Sequence, residues 1–165
     1  ILQSQGTTIA DLYASQMATE PFTVRTLCRM RNNKAAVEAL NKHCEYLITL
    51  IEEERINAFT RGVAEFHSLL VKLTGNKTLT LITQLLQDLM ANHKADVMRR
   101  DPVEAEARKK RLNSAIKSYR KLIKLISDKE EEAAVAHWRL HLKNAHASWA
   151  RAGEGERVVD AINAY

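Results

Sequence analysis

Three kinds of residue in this chain could do chemistry. The first are histidines. His67 lies on the edge of an apolar helical face, one turn beyond Val63, and is expected to point into the interior. His137 and His141 are four residues apart, so they share one face of a helix. Imidazoles from facing helices can build an internal metal site, and His67, His137 and His141 are its candidate ligands. The simpler account of His137, His141 and His146 is a polar stripe.

The second kind is basic. Arg99, Arg100, Arg108, Lys109, Lys110, Arg111, Lys117, Arg120, Lys121 and Lys124 crowd one region. Such a run can attract phosphate. Asp101, Glu104 and Glu106 interrupt it, and no aromatics interleave to stack on bases, which favours a solvated helix face. The third kind is polar side chains on otherwise apolar faces: Thr19, Thr23, Thr60, Asn92, Ser114, Tyr119 and Asn144. They could line a small-molecule cavity, or be hydroxyls and amides bonded back to their own helices.

Other chemistry lacks support. There is no nucleotide-binding glycine loop, nucleophile elbow, zinc ribbon or H-E-x-x-H motif, so no enzyme activity is expected. No apolar run is long enough to span a membrane, and no signal peptide opens the chain. Cys28 and Cys44 lie inside helical patterns and read as buried free thiols of a reducing, cytoplasmic setting. The net charge of +5 is compatible with an anionic ligand without specifying one.

The elements that must position these residues are helices. With 165 residues, 45% hydrophobic, the chain can bury one sizeable core as a single domain, 1–165. Five glycines, two prolines and 5% aromatics favour long helices over strands. The fold class expected is all-α, an antiparallel bundle of about seven helices enclosing a ligand cavity. Thr7 or Thr8 caps a first helix to about Glu20, and Pro21 restarts a second near 22–31. A third spans about 34–53. The central one, 55–74, carries Ile56, Phe59, Val63, Phe66, Leu70 and Leu73 on one face and stops at Gly75. A fifth begins at Thr78 and carries Ile82, Leu86 and Met90. Asp101-Pro102-Val103-Glu104 signals a sixth, and Ser127-Asp128 separates it from the last long one. Residues 156–165 could form a short helix. The opening Ile1 suggests a piece of a longer protein.

These features resemble the C-terminal effector-binding (FCD) domain of the FadR subfamily of GntR-type transcriptional regulators. Asp11-Leu12-Tyr13 with Glu20-Pro21 resembles the opening D-x-Y…L-E-P block. Phe66-His67 resembles the end of D-x-x-F-H, and Thr74-Gly75-Asn76 the small-G-N turn after it. Ile126 to His141, with Arg139-Leu140-His141, resembles the closing segment ending in Arg-x-His. The likeness covers roughly residues 7–146.

The resemblance implies an all-α bundle around a cavity, where many members hold a divalent metal (Zn or Ni) through an aspartate and three histidines. Those positions fall on Val63, His67, Tyr119 and His141, so two of four match. The arginine usual in the first block is Gln16. Valine offers no ligand atom, and a phenol stays protonated at neutral pH. The expectation is therefore a cavity without the metal, with His137 the only spare ligand. His67, Tyr119 and His141 would anchor a small carboxylate or a fatty acyl-CoA-like effector, with Val63, Thr23, Thr60, Met90 and His137 also lining the site. The basic helix could meet CoA phosphates. The resemblance further implies a homodimer, and DNA binding through an N-terminal winged helix-turn-helix absent from these residues. Two other readings are a metal-dependent helical enzyme using His67, His137 and His141, and a purely structural dimerisation module.

Overall fold

The computed structural model describes residues 6–100 and 104–151. Among them are six helices and no strand: α1 (Ile9–Arg29), α2 (Lys34–Glu52), α3 (Ile56–Lys72), α4 (Lys77–Arg100), α5 (Ala105–Ser127) and α6 (Glu131–Arg151). The fold is all-α as expected, with six helices in place of about seven. The expected helix in 156–165, and Asp101 to Val103 of the start signal before α5, lie outside the described residues.

The missing boundary is at Pro21, inside a single α1. A proline within a helix costs about 3 kcal/mol through its lost N–H and its clash with the preceding turn. Tertiary burial outweighs that cost. Glu20, Pro21, Thr23, Val24 and Leu27 are all buried, and every one would be re-aimed by a break. Hydroxyls on this helix also donate to carbonyls one turn back: Thr19 to Ser15 at 2.9 Å and Thr23 to Thr19 at 3.2 Å. The helix start follows the capping rule. Thr8 Oγ1 accepts the Asp11 N–H at 3.2 Å, and Asp11 Oδ2 accepts the Thr8 N–H at 2.8 Å.

α2 turns Leu40, Cys44, Leu47 and Ile51 inward, and both cysteines are buried and free. α3 crosses α2 at Gly62, where an added Cβ would come within 2.6 Å of Leu47 Cδ2. His43 on α2 locks that crossing by donating to the Gly62 carbonyl at 2.7 Å. Gly75 takes φ +79, which a side chain would resist, and Asn76 Oδ1 then caps α4 by accepting the Leu79 N–H at 2.9 Å.

α1 packs on α6, α2 on α5 and α3, and α3 on α4. One core joins these layers around Phe66, Tyr119, Trp138, Leu122 and Leu47. A smaller cluster of Ile9, Leu12, Tyr13 and Met90 lies between the first turns of α1 and the middle of α4. At one end of the bundle Glu131 receives Arg29 at 2.7 and 2.8 Å and Arg25 at 2.9 Å, fixing the end of α1 to the start of α6. Asn33 donates to the Ile126 carbonyl at 2.7 Å, tying the α1–α2 link to α5. α4 leaves Leu81, Ile82 and Leu85 exposed by 71%, 50% and 56% on one side. No helix among the described residues is long and apolar enough to cross a membrane.

Candidate functional site

Where α1, α3, α4 and α6 meet, the interior is polar. Gln16 and Glu20 stand one turn apart on the inner face of α1. Glu20 is 0% exposed. An ionised carboxylate at such depth is prohibitively costly unless it is hydrogen-bonded. Glu20 has donors from three other helices. Trp138 Nε1–H on α6 reaches Oε2 at 2.7 Å. His67 Nδ1 on α3 lies 2.8 Å from Oε2 and 3.0 Å from Oε1. Gln87 Nε2 on α4 donates to Oε1 at 3.2 Å.

These distances settle the tautomer. Nδ1 of His67 faces both carboxylate oxygens, so it carries the proton. The Gln16 carboxamide also lies 3.1 Å from that nitrogen, drawn with its own nitrogen toward it. Two N–H donors cannot share that contact. The Gln16 amide is therefore read with its oxygen toward the imidazole and its NH2 turned away. Either way one of its polar atoms, together with Gln87 Oε1, is buried without a partner.

Aromatic rings enclose this centre. Phe66 and Tyr119 stack at 4.2 Å, and Trp138 and His141 stack at 4.5 Å. The His67 and His141 rings stand 6.3 Å apart, and Tyr119 meets His141 at 5.3 Å. Burial, and then the nearby Glu20 charge, push the Tyr119 phenol far above its ordinary value, so it remains neutral. Among the residues whose side chains are described, no Lys or Arg is buried.

The structure places the His67, Tyr119 and His141 rings within 5.3–6.3 Å of one another. The others divide. His137 is half-buried and turns to α5, donating Nε2–H to the Ser118 carbonyl at 2.9 Å. The Ser118 hydroxyl sits 3.0 Å from His141 Nδ1 and 3.2 Å from His137. Thr23 and Thr60 are buried but donate to the carbonyls of Thr19 and Ile56, the back-bonded alternative. Val63 is half-buried against the main core, and Met90 belongs to the smaller cluster. On the basic helix, Arg120 pairs with Glu45 and Lys124 with Asp128, and Lys109, Lys110, Lys117 and Lys121 face outward.

The expected spare metal set of His67, His137 and His141 does not converge. Among the described residues no group of three or more His, Cys, Asp or Glu side chains is placed to hold one ion. The family's own donor positions do not fit a divalent metal either. Val63 has no donor atom and the buried Tyr119 keeps its proton, so two of the four positions offer no ligand.

Sequence reasoning missed Glu20, Gln87 and Trp138 as members of the site. Glu20 left a signal, being a carboxylate on the same helical face as Leu12, Thr23, Val24 and Leu27. Gln87 left none.

The chain is an all-α bundle with a closed core and a polar centre shared by four helices. The family model of the FCD domain matches residues 11–144, so the chain belongs to the FCD family, the C-terminal effector-binding domains of GntR-family regulators. No curated protein and no solved structure matches the chain significantly.

Proposed function

We propose that this domain senses a small-molecule effector held beside the Glu20–His67 pair, without the metal used by many relatives. The observation that carries the reading is the Glu20-centred network. It links α1, α3, α4 and α6 through buried polar side chains, two of which keep an unpartnered atom. A purely structural core gains nothing from polar atoms without partners, whereas a ligand gives them a purpose. His67, Tyr119 and His141 are the anchors, and Gln16 takes the place of the usual arginine.

The resemblance offered a small carboxylate or a fatty acyl-CoA-like ligand. An uncharged buried end fits this interior better than a carboxylate, because Glu20 already lies there fully buried. An effector can change the domain only through its difference in affinity between two arrangements of the helices. Four helices tied to one carboxylate are a direct route for such a difference. In the parent regulator the readout is DNA binding through the N-terminal domain. The partner of the exposed Leu81, Ile82 and Leu85 row is a second copy of the chain, as in a homodimer.

Native mass spectrometry of the purified protein, followed by denaturing extraction, tests this. One small organic molecule per chain, with no transition metal, is the expected result. A stoichiometric transition metal would overturn the metal-free reading.

A further inference from the structure

We infer that the effector's buried end is a neutral group that both donates and accepts hydrogen bonds, such as a primary amide, rather than a carboxylate. The inference rests on the effector reading above and names the class of ligand.

The first argument is charge. The interior already holds one carboxylate, Glu20, and no buried Lys or Arg among the residues whose side chains are described. Its hydrogen bonds come from His67, Trp138 and Gln87, so those three donors are already engaged. A second anion here would meet Glu20 in a poorly screened medium with no cation to offset it.

The second argument is hydrogen-bond complementarity. Gln16 is 4% exposed and Gln87 1%. Each carboxamide is fastened at one end to the Glu20–His67 pair, and each is unpartnered at the other. With its oxygen toward His67, Gln16 offers an NH2 donor. With its nitrogen on Glu20, Gln87 offers an oxygen acceptor. The two free ends ask for one acceptor and one donor, which a primary amide presents together. Leu12 lies one turn from Gln16, and Met90 one turn from Gln87, both in the smaller apolar cluster. The rest of the ligand is then a short apolar chain lying between α1 and α4.

The test is thermal unfolding of the full chain with four probes on one six-carbon skeleton: hexanamide, hexan-1-ol, hexanoate and hexylammonium. Hexanamide is expected to raise Tm most, by roughly 5 °C at a hundredfold excess over Kd. Hexanoate is expected to give no shift. Gln16→Leu and Gln87→Leu should stay folded by circular dichroism and weaken hexanamide binding at least about tenfold, the loss of one buried hydrogen bond to the ligand. Equal or greater stabilisation by hexanoate overturns the ligand class but leaves the effector reading standing, since a ligand still enters. Undiminished hexanamide binding in both leucine variants likewise overturns the assignment to these carboxamides alone. No shift from any probe overturns both.

Discussion

Trp138 on α6 donates its indole N–H to Glu20 on α1 at 2.7 Å, across 118 residues of chain. The bond is one of three that hold a fully buried carboxylate, and it joins the first and last described helices. A group so placed serves packing and specificity together. The same carboxylate that orients His67, Trp138 and Gln87 also decides what charge the interior will accept.

Removing that carboxylate should be costly. Glu20→Ala leaves three buried donors without an acceptor and should destabilise the domain by about 3–5 kcal/mol, the range for breaking a buried pair from one side. Glu20→Gln keeps the shape and one acceptor oxygen, and should cost less, about 1–3 kcal/mol. Urea unfolding measures both. Equal small losses for the two variants would mean that Glu20 is not the hub.

The α2–α3 crossing is tight at one atom. Gly62→Ala would set a methyl 2.6 Å from Leu47 Cδ2, a side chain that is fully buried. Leu47 must rotate, and the expected cost is about 1–3 kcal/mol. A variant as stable as the parent would show that α2 and α3 stand further apart than described.

The two thiols give a pH signature. Burial pushes Cys28 and Cys44 each up to about 11 from an ordinary value near 9. The folded state therefore keeps protons that the unfolded state has lost between those two pH values. Stability from these groups is fully present below about pH 9 and declines as pH rises toward 11. Native thiols should react slowly with an aromatic disulfide reagent at pH 8 and fast once the chain is unfolded. Rapid reaction in the native state would contradict their burial.

The exposed row on α4 should report self-association. Leu81→Glu with Leu85→Glu is expected to shift the protein to half its mass in light scattering without loss of helix signal. An unchanged mass would move the dimer contact elsewhere, or a monomeric parent would remove it.

Much of this fold was legible from periodicity. The face of α3 from Phe59 to Leu70 and that of α2 from Leu40 to Ile51 repeat at three and four residues, and both helices lie within a residue or two of expectation. Pro21 misled because its local penalty is visible in sequence, while the burial that overrides it depends on partners far along the chain. The site was legible only in part for the same reason. His67 and His141 show themselves as polar residues on apolar faces. Glu20 meets His67 across 47 residues and Gln87 across 67, and nothing local encodes which helices face each other. His137 and His141 share a helical face and both reach Ser118, but of the two it is His141 that stacks on Trp138 at the centre.

The central claim is that the effector docks against the Glu20-centred network, and the indole N–H of Trp138 is the reporter nearest to it. In a Trp149→Phe background one indole signal remains in a proton–nitrogen correlation spectrum. That signal should lie far downfield, as expected of a bond to a carboxylate, and move upfield in Glu20→Gln. Titration with the molecule extracted from the purified protein, or with hexanamide, should shift it progressively and to saturation. A ligand that binds while this resonance stays fixed, or an indole signal indifferent to Glu20→Gln, would contradict the account.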